Sequence, residues 1–387
     1  MKRIYLDHNS TTPVRPEVLK IAEPFTKNLY GNPSSVHSFG REAREAIDIA
    51  RVHIASSINA SDSTEIFFTS GGTESDNLAI RGILNNEDID AHIITTQIEH
   101  NAVLDTCDAL TKEKSIRVTY VKPDKNGLIS SKAIKDAIKD NTKLISVILG
   151  NNEIGTVQSI SAISSFCKEI GILFHTDAVQ ALGKIKIDVQ KDNIDLLSGS
   201  GHKINAPKGI GFLYARKNTP LNAILTGGGQ EQNIRSGTEN VPGIVALGEA
   251  CRILNTEGKE LWDNVLKLRN RLESEVCQKI PDVQIIGDKE HRLPGTSNIG
   301  FSNAEGETLL IRLDLEGIAV STGSACSSGS TEPSHVLLSM DLPQNLVRGS
   351  LRFSLGWGST DEDIDYLMNK LPDAVEKVRK ISPNNGP

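Results

Sequence analysis

The sequence predicts an α/β protein in two parts, a large unit on a mostly parallel central sheet and a smaller α+β unit. Three features carry this reading. From about Pro16 to Ile253 short apolar runs alternate with amphipathic helical patterns. After Cys251 that alternation gives way to a long charged helix and scattered short strands. The chain also combines 32 glycines with only 4% aromatic residues, the texture of a turn-rich α/β enzyme rather than a disordered or membrane chain.

The strands are read in order as TEIFFTS, AHIITTQ, RVTYVKP, KLISVILG, GILFHTD, IDLLSGS and GIGFLYAR, with helices such as ESDNLAIRGIL and SKAIKDAIKD between them. In such sheets ligands gather at the carboxyl ends of strands, so chemistry is sought in the segments that follow each run. Residues 14–256 are assigned to the large unit, and residues 1–13 with 257–387 to the small one. The small unit is read as the helix GKELWDNVLKLRNRLESEVCQKI, strands VQIIG and TSNIGF, the helix GETLLIRLDLEG, a loop at about 321–332, and the closing strand RGSLRFSLG.

Composition excludes several classes. A net charge of -7 argues against a nucleic-acid footprint, and no window reaches the roughly 18 apolar residues of a membrane helix. MKRIYLDHNSTTP has no apolar export segment behind its basic residues, so a cytoplasmic location is expected. Five cysteines without CxxC spacing disfavour both a disulfide framework and a zinc site, and no metal is expected. Cys167 and Cys251 fall in apolar helical patterns and read as buried hydrophobes. Cys326, in STGSACSSGS, sits among small residues without periodicity and reads as a thiol on a mobile loop.

Other segments suggest a reaction centre. SGSGHKINAPKG sets Lys203 between a strand end and a Gly-Pro turn. A lone lysine reads as solvated surface, but Ser200 and His202 offer donors beside it, and the glycines let backbone amides approach an anion. TSGGTESDNLAI is a glycine-rich turn entering a helix, so Gly72 and Thr73 would offer amides and a hydroxyl to a phosphate. In FHTDAVQ, Asp177 either caps the following helix or pairs with a ligand cation, and Gln180 follows three residues later. Lysine, carboxylate and phosphate cradle together are what a pyridoxal phosphate enzyme requires. His100 in QIEHNAVL is either a helix-capping or surface histidine, or an imidazole stacked on the cofactor ring and placed to move protons. Asn152 in GNNEIGTVQ ends a strand, placed to donate to the cofactor or to a substrate carboxylate.

Ten segments in order, from YLDHNSTTP, YGNPSSVHSFGREAR and TSGGTESDNLAI through EHNAVL, NNEIGTVQ, HTDAVQALGK and SGHKINAPKGIG to GGGQEQNIRSGTENVPGI, STGSACSSGSTEPSHVL and LRFSLG, run from about residue 4 to residue 366. With them the chain resembles the NifS/IscS-like cysteine desulfurases, of the class V aminotransferase type among fold type I pyridoxal phosphate enzymes. The resemblance implies Lys203 as the Schiff-base lysine, Asp177 against the pyridinium nitrogen, Gln180 on the ring oxygen and His100 over the ring. It implies Thr73, Ser200 and His202 at the phosphate. Thr238 of SGTEN would reach the phosphate of the neighbouring subunit, which implies a homodimer with shared sites. Asn152 and Arg352 would receive the carboxylate of L-cysteine. Lys203 would take the Cα proton, and Cys326 would take the sulfur as a persulfide, leaving L-alanine. An acceptor protein such as an iron-sulfur scaffold would then receive the sulfur.

His100 and His335 are the candidates for activating the Cys326 thiol. The chain departs from the family pattern at Gly199, Asn205 and Trp357, each expected to alter pocket shape or loop docking. Selenocysteine lyase on the same fold, or a non-catalytic sulfur carrier or scaffold-binding protein, stays open at this stage.

Overall fold

The computed structural model describes residues 2–84, 90–114, 116–322 and 333–381. The chain starts with the short strand β1 (Ile4–Tyr5) and two helices, α1 (Pro16–Lys27) and α2 (Ser38–Ser57). Pro16 occupies the first turn of α1, where its missing N–H has no intrahelical partner to lose. His37 caps α2, its Nδ1 accepting from the Gly40 N–H.

The large sheet follows: β2 (Ile66–Thr69), α3 (Gly72–Leu84), β3 (His92–Thr96), α4 (Asn101–Lys114), β4 (Arg117–Val121), α5 (Ser131–Asp136), β5 (Thr142–Ser146), α6 (Ser161–Ile170), β6 (Leu173–Asp177), β7 (Leu196–Ser200) and β8 (Gly211–Ala215). The seven apolar runs read from the sequence are the seven strands, in the order β2-β8-β7-β6-β5-β3-β4. β8 runs antiparallel to both its neighbours and every other pair is parallel.

Successive residues in a strand face opposite sides, and the core follows that rule. Ile93, Leu144, Leu196 and Leu213 pack under α3 and α4, while Ile94, Ile145, Leu197 and Phe212 pack on the other face with α2. α5 ends at Asp136, four residues before SKAIKDAIKD does. There the Lys139 N–H donates to Thr142 Oγ1 at 2.9 Å and turns the chain into β5.

The helix α7 (Val241–Lys279) is 39 residues long and starts well before the charged stretch that marked it in the sequence. Its residues up to Ile253 belong to the core of the large sheet, and those from Val265 to Val276 to a second core. Around that second core lie β9 (Val283–Ile286), β10 (Thr296–Phe301), α8 (Gly306–Leu315), β11 (Ile318–Ala319), α9 (His335–Ser339), α10 (Gln344–Arg348), β12 (Ser350–Ser354) and α11 (Asp361–Ile381). The order β12-β10-β9 is antiparallel, and β1 pairs with β11 in parallel. Among the described residues no helix is long and apolar enough to cross a membrane.

The unusual residues have local explanations. A Cβ at Gly199 would lie 2.3 Å from Phe212 Cε1, so the ring from β8 fills the space that a side chain on β7 would take. Asn205 adopts φ 65°, a left-handed conformation that asparagine tolerates, and donates to the Pro13 carbonyl at 2.8 Å. The Trp357 ring lies 5.3 Å from the Arg15 guanidinium carbon.

One buried ion pair fastens α2 to the turn after β8. Arg51 makes two 2.8 Å bonds to Glu231, whose Oε2 also accepts from the Phe68 N–H at 2.8 Å. Arg51→Met strands that carboxylate and is expected to lower unfolding stability by roughly 3–5 kcal/mol in urea denaturation. A loss below about 1 kcal/mol, the range of an exposed pair, contradicts the assignment.

Candidate active site

The sequence-predicted residues meet at the carboxyl ends of the central strands, around a cavity of about 200 Å³. Lys203 lies in a single 3-10 turn after β7, Asp177 ends β6, and His100 stands just before α4. Gly72 and Thr73 open α3. With Asn152, Gln180, Ser200 and His202 they line the same cavity.

At one pole, the first turn of α3 presents unpaired amides and the positive end of the helix dipole. A Cβ on Gly72 would meet Val179 Cγ2 at 2.7 Å, so the close approach here requires glycine. Ser200 Oγ is buried without a hydrogen-bond partner among the described residues. His202 Nδ1 lies 3.2 Å from Thr11 Oγ1, and burial, with Lys203, Lys208 and Lys184 near, holds its imidazole down to about 4. That ring is neutral at pH 7.

Asp177 lines the cavity, and its Oδ1 accepts from the Val179 N–H at 2.9 Å; turns rather than a helix follow it, so the helix-capping reading does not hold. Burial raises its carboxyl group; His100, the Val179 N–H and Lys203 pull it back. Asp76, which sequence reading missed, lines the cavity as well. Burial, and then Asp177, push Asp76 well above the ordinary carboxylate range. Its Oδ1 stands 3.6 Å from His175 Nε2, but burial holds His175 at about 3, so that ring offers no positive charge. Of the two neighbouring carboxyls, Asp76 is therefore pushed further toward its protonated form than Asp177. A carboxylate on the buried face of ESDNLAIRGIL, three residues after Thr73, was the available signal.

His100 Nδ1 accepts from the Ala102 N–H at 3.1 Å, which caps α4 and leaves Nε2 as the nitrogen that carries a proton. Lys203 Nζ donates to the carbonyls of Asn9 (2.6 Å) and Ser10 (2.8 Å). Asn9, also missed, is a hub. Its carbonyl accepts from Gln180 Nε2 at 2.8 Å as well, and its Nδ2 donates to the Asn152 carbonyl at 3.1 Å and to Thr296 Oγ1 at 2.9 Å.

Arg352 is fully buried on β12 and adjoins the cavity through the Asn152 carbonyl, to which its Nη1 donates at 3.0 Å. Its Nη2 is held by Asp7 Oδ1 (2.8 Å) and Ser10 Oγ (2.7 Å), so an incoming carboxylate must share the guanidinium with Asp7. Thr238 is exposed and does not line the cavity. Cys326 lies outside the described residues. Burial lowers His335, so its ring is neutral at pH 7, and its Nε2 lies 3.0 Å from the Glu99 carbonyl.

Lysine, carboxylate and the start of α3 thus converge at the carboxyl ends of the central strands. Residues 4–367 match the family described as Aminotransferase class-V, and the chain belongs to that family. It is 48% identical over 383 residues to the cysteine desulfurase IscS of Methanosarcina thermophila, covering 99% of this chain and 94% of that protein. Among solved structures it resembles a NifS-like protein with a TM-score of 0.91 at 36% identity, covering 97% of this chain and 100% of that one. It also resembles SspA in complex with cysteine, with a TM-score of 0.81 at 37% identity, covering 91% and 98% of the two chains.

Beside the cavity, burial raises Glu99 from 4.5 to about 8, against hydrogen bonds from Thr96 and the Ile148 N–H. Between those values the folded chain keeps a proton that the unfolded chain has lost, so this group subtracts stability as pH rises. The unfolding midpoint of Glu99→Gln, relative to wild type, is expected to climb between about pH 5 and pH 8. A difference that does not change with pH contradicts the buried acid.

Proposed function

We propose that the chain is a pyridoxal 5'-phosphate-dependent cysteine desulfurase of fold type I, converting L-cysteine to L-alanine and taking the sulfur onto Cys326 as a persulfide. The cavity carries this reading: separate strand ends bring an amine, a buried carboxylate and an anion cradle to one space. Kinship to a relative named cysteine desulfurase, and likeness to a protein solved with cysteine, support the substrate.

The residues fit the cofactor. The unpartnered Ser200 hydroxyl, the Thr73 hydroxyl, the Gly72 turn and neutral His202 suit a phosphate group. Asp177, the less strongly raised of the two neighbouring carboxyls, suits a pyridinium nitrogen. Gln180 suits the ring oxygen and His100 the ring face. When bound, the cofactor supplies an electron sink conjugated to the substrate Cα.

This chain's residues do the rest. Lys203 Nζ exchanges a proton with the substrate Cα, and the Asn9 and Ser10 carbonyls hold that amine when it is charged. Arg352 and Asn152 orient the substrate carboxylate, which a guanidinium fork suits. His100 carries a proton on Nε2, ready for the departing or arriving group. The Cys326 thiolate attacks the substrate sulfur: an S–S bond forms, the C–S bond breaks, and its electron pair remains with the carbon skeleton, where protonation gives the alanine methyl group. No outside oxidant is consumed.

The division into residues 14–256 and residues 1–13 with 257–387 belongs to the same reading, supported by the passage of α7 from one core to the other. A homodimer with shared sites is supported by the exposure of Thr238 and by the uncovered Tyr30 (72% exposed) and Val36 (89%). A sulfur acceptor of the iron-sulfur scaffold kind and a cytoplasmic setting complete the proposal, the latter supported by unpaired Cys107, Cys167, Cys251 and Cys277.

The test is alanine and sulfide release from L-cysteine by the cofactor-loaded protein under a thiol reductant. Wild type is expected to release both at equal rates and Cys326→Ala neither; full activity in Cys326→Ala contradicts the sulfur acceptor. His100→Gln is expected to lower kcat by roughly 10²–10⁴-fold, the range for losing a placed proton donor. Faster turnover of selenocysteine than of cysteine would move the assignment to selenocysteine lyase.

A further inference from the structure

Lys184 follows Gln180 by four residues and is buried to 7% exposure. Its hydrogen-bond partners among the described residues are two amide oxygens, Gln180 Oε1 at 2.8 Å and Asn9 Oδ1 at 3.3 Å. Its Nζ lies 6.0 Å from the centre of the Trp262 ring. Burial, with Lys203 and Arg352 close by, lowers Lys184 to about 7. A buried amine beside two other cationic side chains is costly, so its position needs a reason.

Hydrogen-bond polarity supplies that reason. A lysine Nζ carries three N–H donors when charged and two when neutral, enough in either form for two acceptors, whereas a carboxamide has an oxygen on one side and an NH₂ group on the other. Facing Lys184, both amides present oxygen. The NH₂ group of Gln180 is thereby turned away, and one of its hydrogens goes to the Asn9 carbonyl at 2.8 Å. The other remains for the cavity that Gln180 lines. The NH₂ group of Asn9 is likewise directed to the Asn152 carbonyl and Thr296 Oγ1. A flipped Gln180 would oppose donor to donor.

We propose that Lys184 is a positioning residue that locks the Gln180 carboxamide with an N–H facing the cavity, toward the cofactor ring oxygen, and through Asn9 ties that donor to Asn152. The assignment rests on the pyridoxal phosphate reading. Lys184 acts through Gln180 and touches neither substrate nor cofactor.

The test compares wild type, Lys184→Met, Gln180→Leu and the double variant, each titrated with pyridoxal phosphate and followed by visible absorbance. Lys184→Met exchanges a buried amine for an apolar chain of similar length, a change that buried sites often accept. Its visible band is expected to move in the same direction as that of Gln180→Leu. Its Kd for pyridoxal phosphate should rise about tenfold, the equivalent of one hydrogen bond. The double variant is expected to go no further than Gln180→Leu alone, because the two residues act in series.

A wild-type band and Kd in Lys184→Met, or shifts that add in full, overturn the proposal. Should Lys184→Met fail to fold, Lys184→Gln carries the test: its shorter donor is expected to move the band part of the way, and a wild-type band overturns the proposal. A wild-type protein that takes up no pyridoxal phosphate overturns the cofactor reading, and this one with it.

Discussion

The amine of Lys203 rests on two main-chain carbonyls, those of Asn9 and Ser10, and the site is built around that contact. Amines held away from bulk water need acceptors, and here they come from a segment nearly two hundred residues distant in sequence. The segment is itself pinned on both sides. On one side the His8 N–H donates to the Ser354 carbonyl and the Asn9 N–H to Ser354 Oγ, which fixes it to β12. On the other, the Thr12 hydroxyl donates to the His202 carbonyl and accepts from the Asn205 N–H, which fixes it to the lysine turn. A short strap from the start of the chain thus sets the distance between the large sheet and the second core.

Charge in the cavity is arranged by burial more than by pairing. Lys184, Lys203 and Arg352 bond to the strap residues Asn9 and Ser10, and Asp76 and Asp177 line the cavity. Desolvation lowers Lys184 and raises Asp76 and Asp177, so each group is held nearer to its neutral form than it would be in water. An incoming anion at the head of α3 and a ring cation near Asp177 would each meet groups already oriented. Such preorganisation costs stability in folding and returns it when a ligand binds.

Much of this was legible in the sequence. The seven strands of the large sheet follow from short apolar runs, and Lys203, Asp177 and the Gly72–Thr73 turn follow from the strand ends they occupy. Residues whose meaning is set by a distant partner were not legible. Asn9 reads as an ordinary polar residue until the strap is seen beside Lys203. Lys184 carries no mark of its burial in the sequence, and Asp76 only its place on the apolar face of α3. Phe212 explains Gly199 only once β7 and β8 are paired. The full length of α7 was hidden because its first half is apolar on most sides and its second half is charged, so one helix reads as two textures.

The most direct check on the account is to load the protein with pyridoxal phosphate, reduce it with borohydride and map the modified peptide by mass spectrometry. The pyridoxyl group is expected on Lys203, the amine that the strap carbonyls hold at the cavity. Modification of Lys184 or Lys208 instead would contradict the central claim, because the reactive amine would then lie elsewhere than where Asn9 and Ser10 place it.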